Sequence, residues 1–259
     1  VSRRLLAALV LIILIAAPLG YLGYGYSNYE SSIHPSKSAP AKTYLVFKLP
    51  DGRYLSLTPK EYVNLTLQGF KLPAGAKGYA VNVTGYVTGI PEVDVNVTLR
   101  APYEKFTIII GDTNVKLCSS SPEEFVGSCV ERTAAVSEIS ALTSTLFKRY
   151  YYWKGLQEGM DNASAKAYAY EETLKRHDIR YLTFFTKSLI GLGRIGNRKH
   201  LAVVLLGPNE GATTNRITVP REGLIVLEGK SDSALRAEVA LIEHIIGFKW
   251  PEGNQTSTG

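Results

Sequence analysis

The chain of 259 residues is long enough for one large domain or two small ones with a buried core. Hydrophobic residues make up 45% and charged residues 20%, which excludes a largely disordered chain. The net charge is +6, or +4 once Arg3 and Arg4 are set aside, so we expect no nucleic-acid partner.

The N-terminal segment 1–29 has the composition of a membrane anchor. Two arginines precede an uncharged run whose first part is dense in leucine, isoleucine and alanine. About 20 apolar residues span a bilayer as a helix. Because basic residues favour the cytoplasmic side, Arg3 and Arg4 predict a single-pass cell-membrane protein with a cytoplasmic N-terminus and its bulk outside the cytoplasm. We expect residues 5–26 to contact the bilayer, with an interfacial aromatic belt at Tyr21, Tyr24 and Tyr26.

A cleaved secretory signal peptide is the alternative interpretation of this segment. Such a signal would also start with basic residues, continue with an apolar stretch and end at small residues such as Ala16 and Ala17. Pro18 directly after Ala17, and the bulky Ile15 before them, make a poor cleavage site and favour the anchor. Both interpretations export the rest of the chain.

Five segments match the N-x-[ST] acceptor pattern for N-glycosylation. Period-two alternation predicts that two of the acceptors lie on the solvent side of strands, as a glycan requires. A chance match in a threonine-rich chain is the alternative. The candidate acceptors, half of the ten asparagines of the chain, are Asn64, Asn82, Asn96, Asn162 and Asn254.

The two cysteines, Cys118 and Cys129, predict a disulfide, because an even count in an exported chain is typical of a bridge. A bridge of this spacing would stabilise the fold by about 3 kcal/mol in the chain-entropy model. Two unrelated buried thiols are the alternative. The single methionine and the scarcity of glutamine fit a hyperthermophile. Together with the predicted export and the acceptor segments, this composition leads us to expect an archaeal cell-surface glycoprotein.

Residues 30–42 predict a short extended linker, and residues 43–104 predict a β-rich module. Thr58 and Glu61 form a capping box with Pro59 at the first helical position. The predicted elements of the module are, in chain order, a hairpin turning at 50–52, a helix over 59–68 and strands over 79–84 and 93–99.

Residues 105–248 predict an α/β module, followed by a flexible tail over 249–259. The whole chain is therefore expected to be α+β or mixed: a transmembrane helix, a small β-rich module, and a module of covered strands flanked by helices. Its predicted elements are a strand over 105–111, a long helix opened by a capping box at 121–124, a helix capped by Asp161, a helical pattern from Ile179 to Leu189, a strand over 201–206, a hairpin turning at 220–223, and a helix that ends at Gly247.

Residues 191–196 read G-x-G-x-x-G, the pattern of a dinucleotide-binding loop. That loop needs a strand before the glycines and a helix after them, so that the helix N-terminus meets the pyrophosphate. Here the predicted order is helix, glycines, strand. We therefore interpret Gly191 as a left-handed residue that ends a helix, and we expect no cofactor.

The loop 207–215 resembles a phosphate-binding loop only in having two glycines, since it lacks the lysine and is followed by a strand. Polar loops at the carboxyl ends of covered strands are nevertheless where α/β folds place ligand sites. A plain connecting loop is the alternative. The candidate ligand residues are Asn209, Glu210, Thr213, Thr214 and Asn215.

The segment "KRYYYWK" over 148–154 has the most unusual local composition. Aromatic side chains flanked by cations can anchor a protein partner, which makes Tyr151, Tyr152 and Trp153 a candidate contact. In the alternative, Tyr150 and Trp153 pack in the core while Tyr151 and Tyr152 lie half exposed.

No nucleophile, acid–base or zinc motif occurs. The four histidines lack the spacing of metal ligands and are expected to be solvated, and we expect no metal site. The leading hypothesis is a membrane-anchored extracytoplasmic protein that acts in binding or surface assembly. An exported hydrolase with its site near 207–215, and an accessory subunit of a membrane complex, are the alternatives.

Overall fold

The computed structural model describes residues 3–115, 117–118 and 128–248, and the side chains of 12–115, 117–118 and 129–248. The predicted capping box at 121–124, the tail 249–259 and Asn254 lie outside these residues. The α-helices are α1 (Arg3–Ser27), α2 (Tyr29–Ile33), α3 (Pro59–Leu67), α4 (Pro91–Arg100), α5 (Ser128–Gln157), α6 (Asn162–Arg176), α7 (Phe184–Gly191) and α8 (Asp232–Ile245). The strands are β1 (Ala41–Lys48), β2 (Tyr54–Leu57), β3 (Lys77–Gly85), β4 (Lys105–Ile109), β5 (His177–Arg180), β6 (His200–Leu206), β7 (Arg216–Arg221) and β8 (Leu224–Glu228).

All eight of these strands form one mixed sheet in the order β2-β1-β3-β7-β8-β6-β4-β5. Strands β8, β6, β4 and β5 run parallel, and β3 runs parallel to β7. The pairs β1–β2, β1–β3 and β7–β8 are antiparallel. The mixed α/β class is therefore confirmed. Strands from both predicted modules lie in this sheet, so the module boundary at residue 104 is not a boundary of the sheet.

Helices cover both faces of the sheet. On one face, α4, α5 and α8 pack on the strands through residues such as Leu99, Ile139 and Leu235. On the other face, Tyr29 and Ile33 of α2 and side chains of α7 pack on the alternate strand residues. Because β4, β6 and β8 are buried on both faces, their sequences are continuous apolar runs, as the predicted covered strands require.

Several local predictions are confirmed. Thr58 and Glu61 form the capping box of α3, with hydrogen bonds in both directions. Asp161 caps α6 by accepting a hydrogen bond from the backbone N–H of Ser164 at 2.8 Å. Gly247 follows α8 with a φ of +61°. The hairpins β1–β2 and β7–β8 both form where they were predicted.

The predicted strand over 93–99 is wrong, because this segment is part of helix α4. Its valines alternate with polar residues, but the same segment also has helical spacing, with buried residues at 91, 94, 95, 98 and 99. Pro91 occupies the start of the helix, where the absent N–H costs nothing. The buried Asp94 secures the helix by accepting hydrogen bonds from the backbone N–H groups of Val87 and Thr88.

The prediction around the glycines 191–196 is right in element order and wrong in detail. Helix α7 precedes the glycines and β6 follows them, the reverse of a dinucleotide-binding loop. The left-handed residues are Gly193 and Gly196, with φ of +64° and +69°, whereas Gly191 is the last residue of α7. The helical pattern from Ile179 is also wrong in part, since β5 comes first and α7 begins only at Phe184.

Helix α1 contacts the domain only near its C-terminal end, as far as its described side chains show. Residues 12–21 are all exposed, whereas Gly25 is buried against α7. Within the described part of the chain, no helix combines the length and the apolar character needed to cross a membrane. The predicted transmembrane helix therefore stays a prediction.

Candidate ligand-binding site

A polar cavity of about 330 Å³ lies at the carboxyl edge of the sheet. The segments that follow β4 and β6, and the end of β8, meet at this edge because the three strands are parallel neighbours. Helix α2 forms a further wall. Clefts at the carboxyl ends of parallel strands are the usual ligand sites of α/β folds, and this volume suits a small ligand.

Glu210, which lines the cavity, forms a buried ion pair with Arg132 of α5. The Nη2 atom of Arg132 lies 3.2 Å from Oε2 of Glu210, and both side chains are almost fully buried. Arg132 also donates to Asp232 at 2.7 Å and to the carbonyl of Ile110 at 3.0 Å. A charge this deeply buried is retained only when it is paired and hydrogen-bonded, so this cluster fixes the loops after β4, β6 and β8 to each other.

Two glycines leave room for the Arg132 cluster. A Cβ atom on Gly207 would overlap the guanidinium of Arg132. At Gly111, whose φ is +105°, a Cβ atom would lie 2.6 Å from Oε1 of Glu210. The Glu210 carboxylate in turn accepts hydrogen bonds from the backbone N–H groups of Gly207 and Asp112, at 2.6 and 3.0 Å.

A second ion pair, between Glu228 and Arg216, lies on another side of the cavity. The Nε atom of Arg216 donates to Oε2 of Glu228 at 2.7 Å. His34, just after α2, lies between them: its Nδ1 is 3.0 Å from Arg216 and its Nε2 is 3.6 Å from Glu228. These contacts fix the end of α2 to the carboxyl edge of the sheet.

Further polar side chains line the cavity and take no part in the two arginine–glutamate pairs. They include Tyr29, Asp112 and Lys187. The Tyr29 side chain is only 4% exposed, and burial raises the pKa of its hydroxyl. Lys187 places its Nζ 5.5 Å from the Tyr29 ring centre. A hydrogen bond from the Thr113 hydroxyl, followed by one from the Asn114 N–H, lowers the pKa of Asp112. A permanent carboxylate and an ammonium group therefore border the same cavity.

This arrangement suits binding more than catalysis. The described lining contains no serine, threonine or cysteine that could act as a nucleophile. The Glu210 carboxylate is paired with Arg132 and the Glu228 carboxylate with Arg216, so an arginine of the protein already engages each of them. Among the described residues, no group of three or more histidine, cysteine or acidic side chains could hold a metal ion.

The structure brings only part of the predicted ligand loop to the cavity. Asn209 and Glu210 line it. Thr213 and Thr214 are exposed and do not line it. Asn215 instead joins strand ends, since it donates to the carbonyl of Ala80 and accepts from the N–H of Lys230.

The sequence reasoning missed five lining residues from four separate segments, namely Tyr29, His34, Asp112, Lys187 and Glu228. Of these residues, Asp112 could have been predicted from the sequence, because it directly follows the predicted covered strand 105–111. The first two were assigned to the anchor and the linker. No local pattern marks them, because α2 reaches the cavity only through tertiary packing.

The expectation of solvated histidines is wrong for His177 and His200, which are partly buried, whereas the His34 side chain stays 34% exposed. His34 makes the contacts described above. His177 lies 2.9 Å from the Ser140 hydroxyl and stacks on Phe106. His200 lies 2.7 Å from the Thr107 hydroxyl, and burial lowers its pKa to about 4.

The candidate partner contact is Tyr151, Tyr152 and Trp153, and the structure buries a different member of this segment from those that the core-packing alternative placed inside. Tyr151 is buried, with its hydroxyl donating to the carbonyl of Tyr103 at 3.3 Å and the Arg176 guanidinium over its ring. Tyr152 is half-buried, and Trp153 is 62% exposed. The alternative that places Tyr150 and Trp153 in the core is therefore wrong: both line an open cleft of about 310 Å³.

The predicted disulfide is confirmed, since Cys118 and Cys129 are bonded, and the bridge fixes the segment after β4 to the first turn of α5. Three candidate glycosylation sites are exposed: Asn64, Asn82 and Asn162. Asn96 is half-buried on α4, where its Oδ1 accepts a hydrogen bond from Arg100 at 2.6 Å. Asn82 accepts one from the Thr43 hydroxyl at 2.9 Å.

Comparison with known proteins gives no match to a family model, to a curated protein or to a solved structure. Fold alone would not determine function in any case, because one fold serves many activities. The functional argument therefore depends on the cavity, the surfaces and helix α1.

Proposed function

We propose that the protein is a membrane-anchored extracytoplasmic binding protein that holds a small polar ligand in the cavity at the carboxyl edge of its sheet. The observation that carries the anchor is the exposed apolar part of α1. Ile12, Leu14 and Leu19 are 64%, 65% and 60% exposed. Isoleucine and leucine side chains are usually among the most buried in a folded protein.

The exposure of α1 favours lipid over a protein partner. Residues 12–15 are four successive apolar positions, all more than half exposed, and successive helical positions are about 100° apart. They therefore point to all sides of the helix. A protein partner would cover one face, whereas acyl chains surround a helix completely.

The following turns of α1 have the chemistry of a membrane interface. Tyr21, Tyr24 and Tyr26 are exposed. Arg194 donates to the Tyr21 hydroxyl at 3.1 Å, and its guanidinium lies 5.9 Å from the Tyr21 ring centre. Tyrosines with nearby cations are typical of the headgroup level. This supports insertion of the N-terminal part of α1 into the bilayer.

An extracytoplasmic location is supported by two independent features. The pair Arg3 and Arg4 precedes the uncharged run, which favours a cytoplasmic N-terminus. The disulfide between Cys118 and Cys129 is typical of an oxidising compartment. Three exposed sequons are compatible with glycosylation in that compartment.

The proposed ligand is a small molecule that carries a positively charged group, with or without a carboxylate. Asp112 and Glu30 would pair with the cation, Lys187 with a carboxylate, and the Tyr29 hydroxyl would donate or accept a hydrogen bond. The exported hydrolase is the second candidate, because a cavity with several carboxylates lies where that hypothesis requires one. The arginine pairing of Glu210 and Glu228 favours binding.

Membrane extraction at alkaline pH tests the anchor. We expect the full chain to stay with the membranes and its globular part to react with a membrane-impermeant reagent from outside. The double variant Leu14→Arg, Ile15→Arg should move to the soluble fraction. Leu67→Arg, at a leucine of α3 that is still more exposed, is the control and should not. A wild-type protein in the cytosolic fraction would sink the proposal, and an N-terminus cleaved after residue 17 would exclude the anchor.

Thermal stability in the presence of small cationic and zwitterionic amines tests the cavity. A ligand at 100 times its Kd stabilises the fold by about 2.7 kcal/mol. Asp112→Asn should abolish the shift caused by an amine, whereas Asp161→Asn, far from the cavity, should preserve it. Turnover of ester or glycoside substrates that is lost in Asp112→Asn would instead favour the hydrolase.

A further inference from the structure

The loop between α7 and β6, residues 192–199, is basic and lies beside α1. We call it the basic loop. Arg194 donates from Nη2 and Nε to the Tyr21 hydroxyl, at 3.1 and 3.2 Å. Arg198 and Lys199 have side chains that are 85% and 77% exposed. The loop thus presents three cations next to the aromatic turns of α1.

Hydrogen bonds from Arg221 and Asn197 fix the conformation of the basic loop. Gly193 and Gly196 supply the left-handed residues that its turns require. Arg221 of β7 donates to the carbonyl oxygens of Gly196 and Ile190, at 2.6 and 2.7 Å. Asn197 donates to the carbonyl of Gly193 at 2.8 Å. The three exposed cations are therefore carried by an ordered turn.

The charge of the basic loop is only weakly compensated. Arg198 pairs with Glu222 at 2.7 Å and Lys199 with Glu104 at 3.2 Å, but these are exposed pairs, which contribute little and exchange readily. Neither Arg194 nor the half-buried Arg221 pairs with a carboxylate of the described residues. The loop itself contains no acidic residue, so its surface is positive even though Glu222 and Glu104 pair with two of its cations.

The direction in which α1 leaves the globular part determines where the basic loop lies relative to the proposed bilayer. Tyr26 stacks on Phe184 at the start of α7, and Tyr21 contacts Arg194 beyond its end, so α1 runs antiparallel to α7. The exposed residues 12–19 consequently extend past the basic loop, by about 14 Å from Tyr21 to Ile12 at 1.5 Å per residue. An anchor inserted through these residues brings the loop to the level of the lipid headgroups.

We propose that the basic loop binds the phosphate groups of anionic phospholipids, through Arg194, Arg198 and Lys199. This inference rests on the proposed anchoring of α1 in a bilayer. Guanidinium groups match phosphate oxygens with paired hydrogen bonds, and each basic residue near an anionic membrane favours contact by on the order of fivefold. The left-handed glycines of the loop thus serve a phosphate contact, with lipid and not a dinucleotide.

A tryptophan reporter on α1 tests the lipid preference. The full chain with Trp153→Phe, Trp250→Phe and Tyr24→Trp has its only tryptophan on an exposed position of α1. It is reconstituted in vesicles of phosphatidylcholine and phosphatidylglycerol, in which one lipid at a time is brominated. We expect brominated phosphatidylglycerol to quench several-fold more effectively at equal mole fraction, and the preference to weaken at high salt.

A matched pair of triple variants isolates the loop. Arg194→Gln, Arg198→Gln and Lys199→Gln together should remove the preference. Lys60→Gln, Lys71→Gln and Lys77→Gln remove the same charge from α3 and the β1–β3 side of the sheet and should leave the preference unchanged.

The outcomes separate the two proposals. Equal quenching by both lipids, or a preference that survives in the loop variant, overturns the lipid site and leaves the anchor standing. Absence of quenching by either lipid overturns the anchor, and the lipid site with it.

Discussion

The backbones of Gly25 on α1 and Gly191 on α7 touch with no side chain between them. A Cβ atom on Gly191 would overlap the carbonyl oxygen of Gly25, and one on Gly25 would lie 2.5 Å from the carbonyl oxygen of Ser188. Small residues allow helices to approach this closely. This contact is therefore a main attachment of α1 to the globular part.

Gly191→Ala should weaken the attachment of α1. The added methyl group forces the helices apart, and such overpacking costs about 1–3 kcal/mol. We expect a lower free energy of unfolding in denaturant titration and faster proteolysis after α1. Gly20→Ala adds the same methyl group to open space on α1 and should be neutral or slightly stabilising. Equal stability of the two variants would show that the close contact does not hold α1.

Arg132→Met should destabilise the protein severely. It leaves the buried Glu210 carboxylate without its cation, and breaking a buried ion pair costs about 3–5 kcal/mol. Arg53→Ala removes one partner of an exposed pair with Asp51 and should change the stability by less than about 0.5 kcal/mol. A wild-type free energy of unfolding for Arg132→Met would contradict the role of the cluster in joining the loops.

Tyr151→Ala and Trp153→Ala should separate stability from partner binding. Tyr151 is buried, and loss of a buried aromatic side chain costs about 3–5 kcal/mol. Trp153 is mainly exposed, so its removal should leave the melting temperature nearly unchanged. If Trp153 anchors a partner, crosslinking in intact membranes should recover integral membrane proteins with the wild type and not with Trp153→Ala. Identical crosslinked products would exclude Trp153 as the contact.

His200 should make the fold sensitive to acid. Burial lowers its folded-state pKa to about 4, below the usual 6.5, so the unfolded chain binds its proton more strongly. The stability that this histidine contributes is therefore present above pH 6.5 and is lost as the pH falls towards 4. His200→Gln should flatten the dependence of the unfolding free energy on pH in this window. From about pH 8 upwards the difference in unfolding free energy between variant and wild type should no longer change with pH. Parallel pH profiles of the two proteins over the whole range would contradict this role of His200.

Local signals predicted much of the fold. The capping side chains of Thr58 and Asp161, the hairpin turns and the continuous apolar strands all act over a few residues, so their outcome is visible in short windows of sequence. Segment 91–100 failed because its pattern satisfies two periods at once. The choice of helix follows from Asp94, whose carboxylate binds the backbone before α4.

The candidate site could be predicted only where it lies on the sheet itself. Glu210 follows a covered strand, and the rule that ligands bind at carboxyl ends of parallel strands reaches it. Tyr29 lies on α2, a helix of five residues with no pattern of its own, and His34 directly follows that helix. Their position depends on packing with α7 and the sheet, which no local spacing encodes. Arg132 was missed for a similar reason, since a buried cation in a long helix has no sequence signature.

The cavity and the basic loop lie at opposite ends of the parallel strands. With α1 held in lipid beyond the basic loop, the cavity would lie at the ends of the strands that are farther from the bilayer. A water-soluble compound could then be captured without ever partitioning into the membrane. Occupancy would follow its concentration in the environment of the cell, so the protein would report on, or scavenge from, what lies outside.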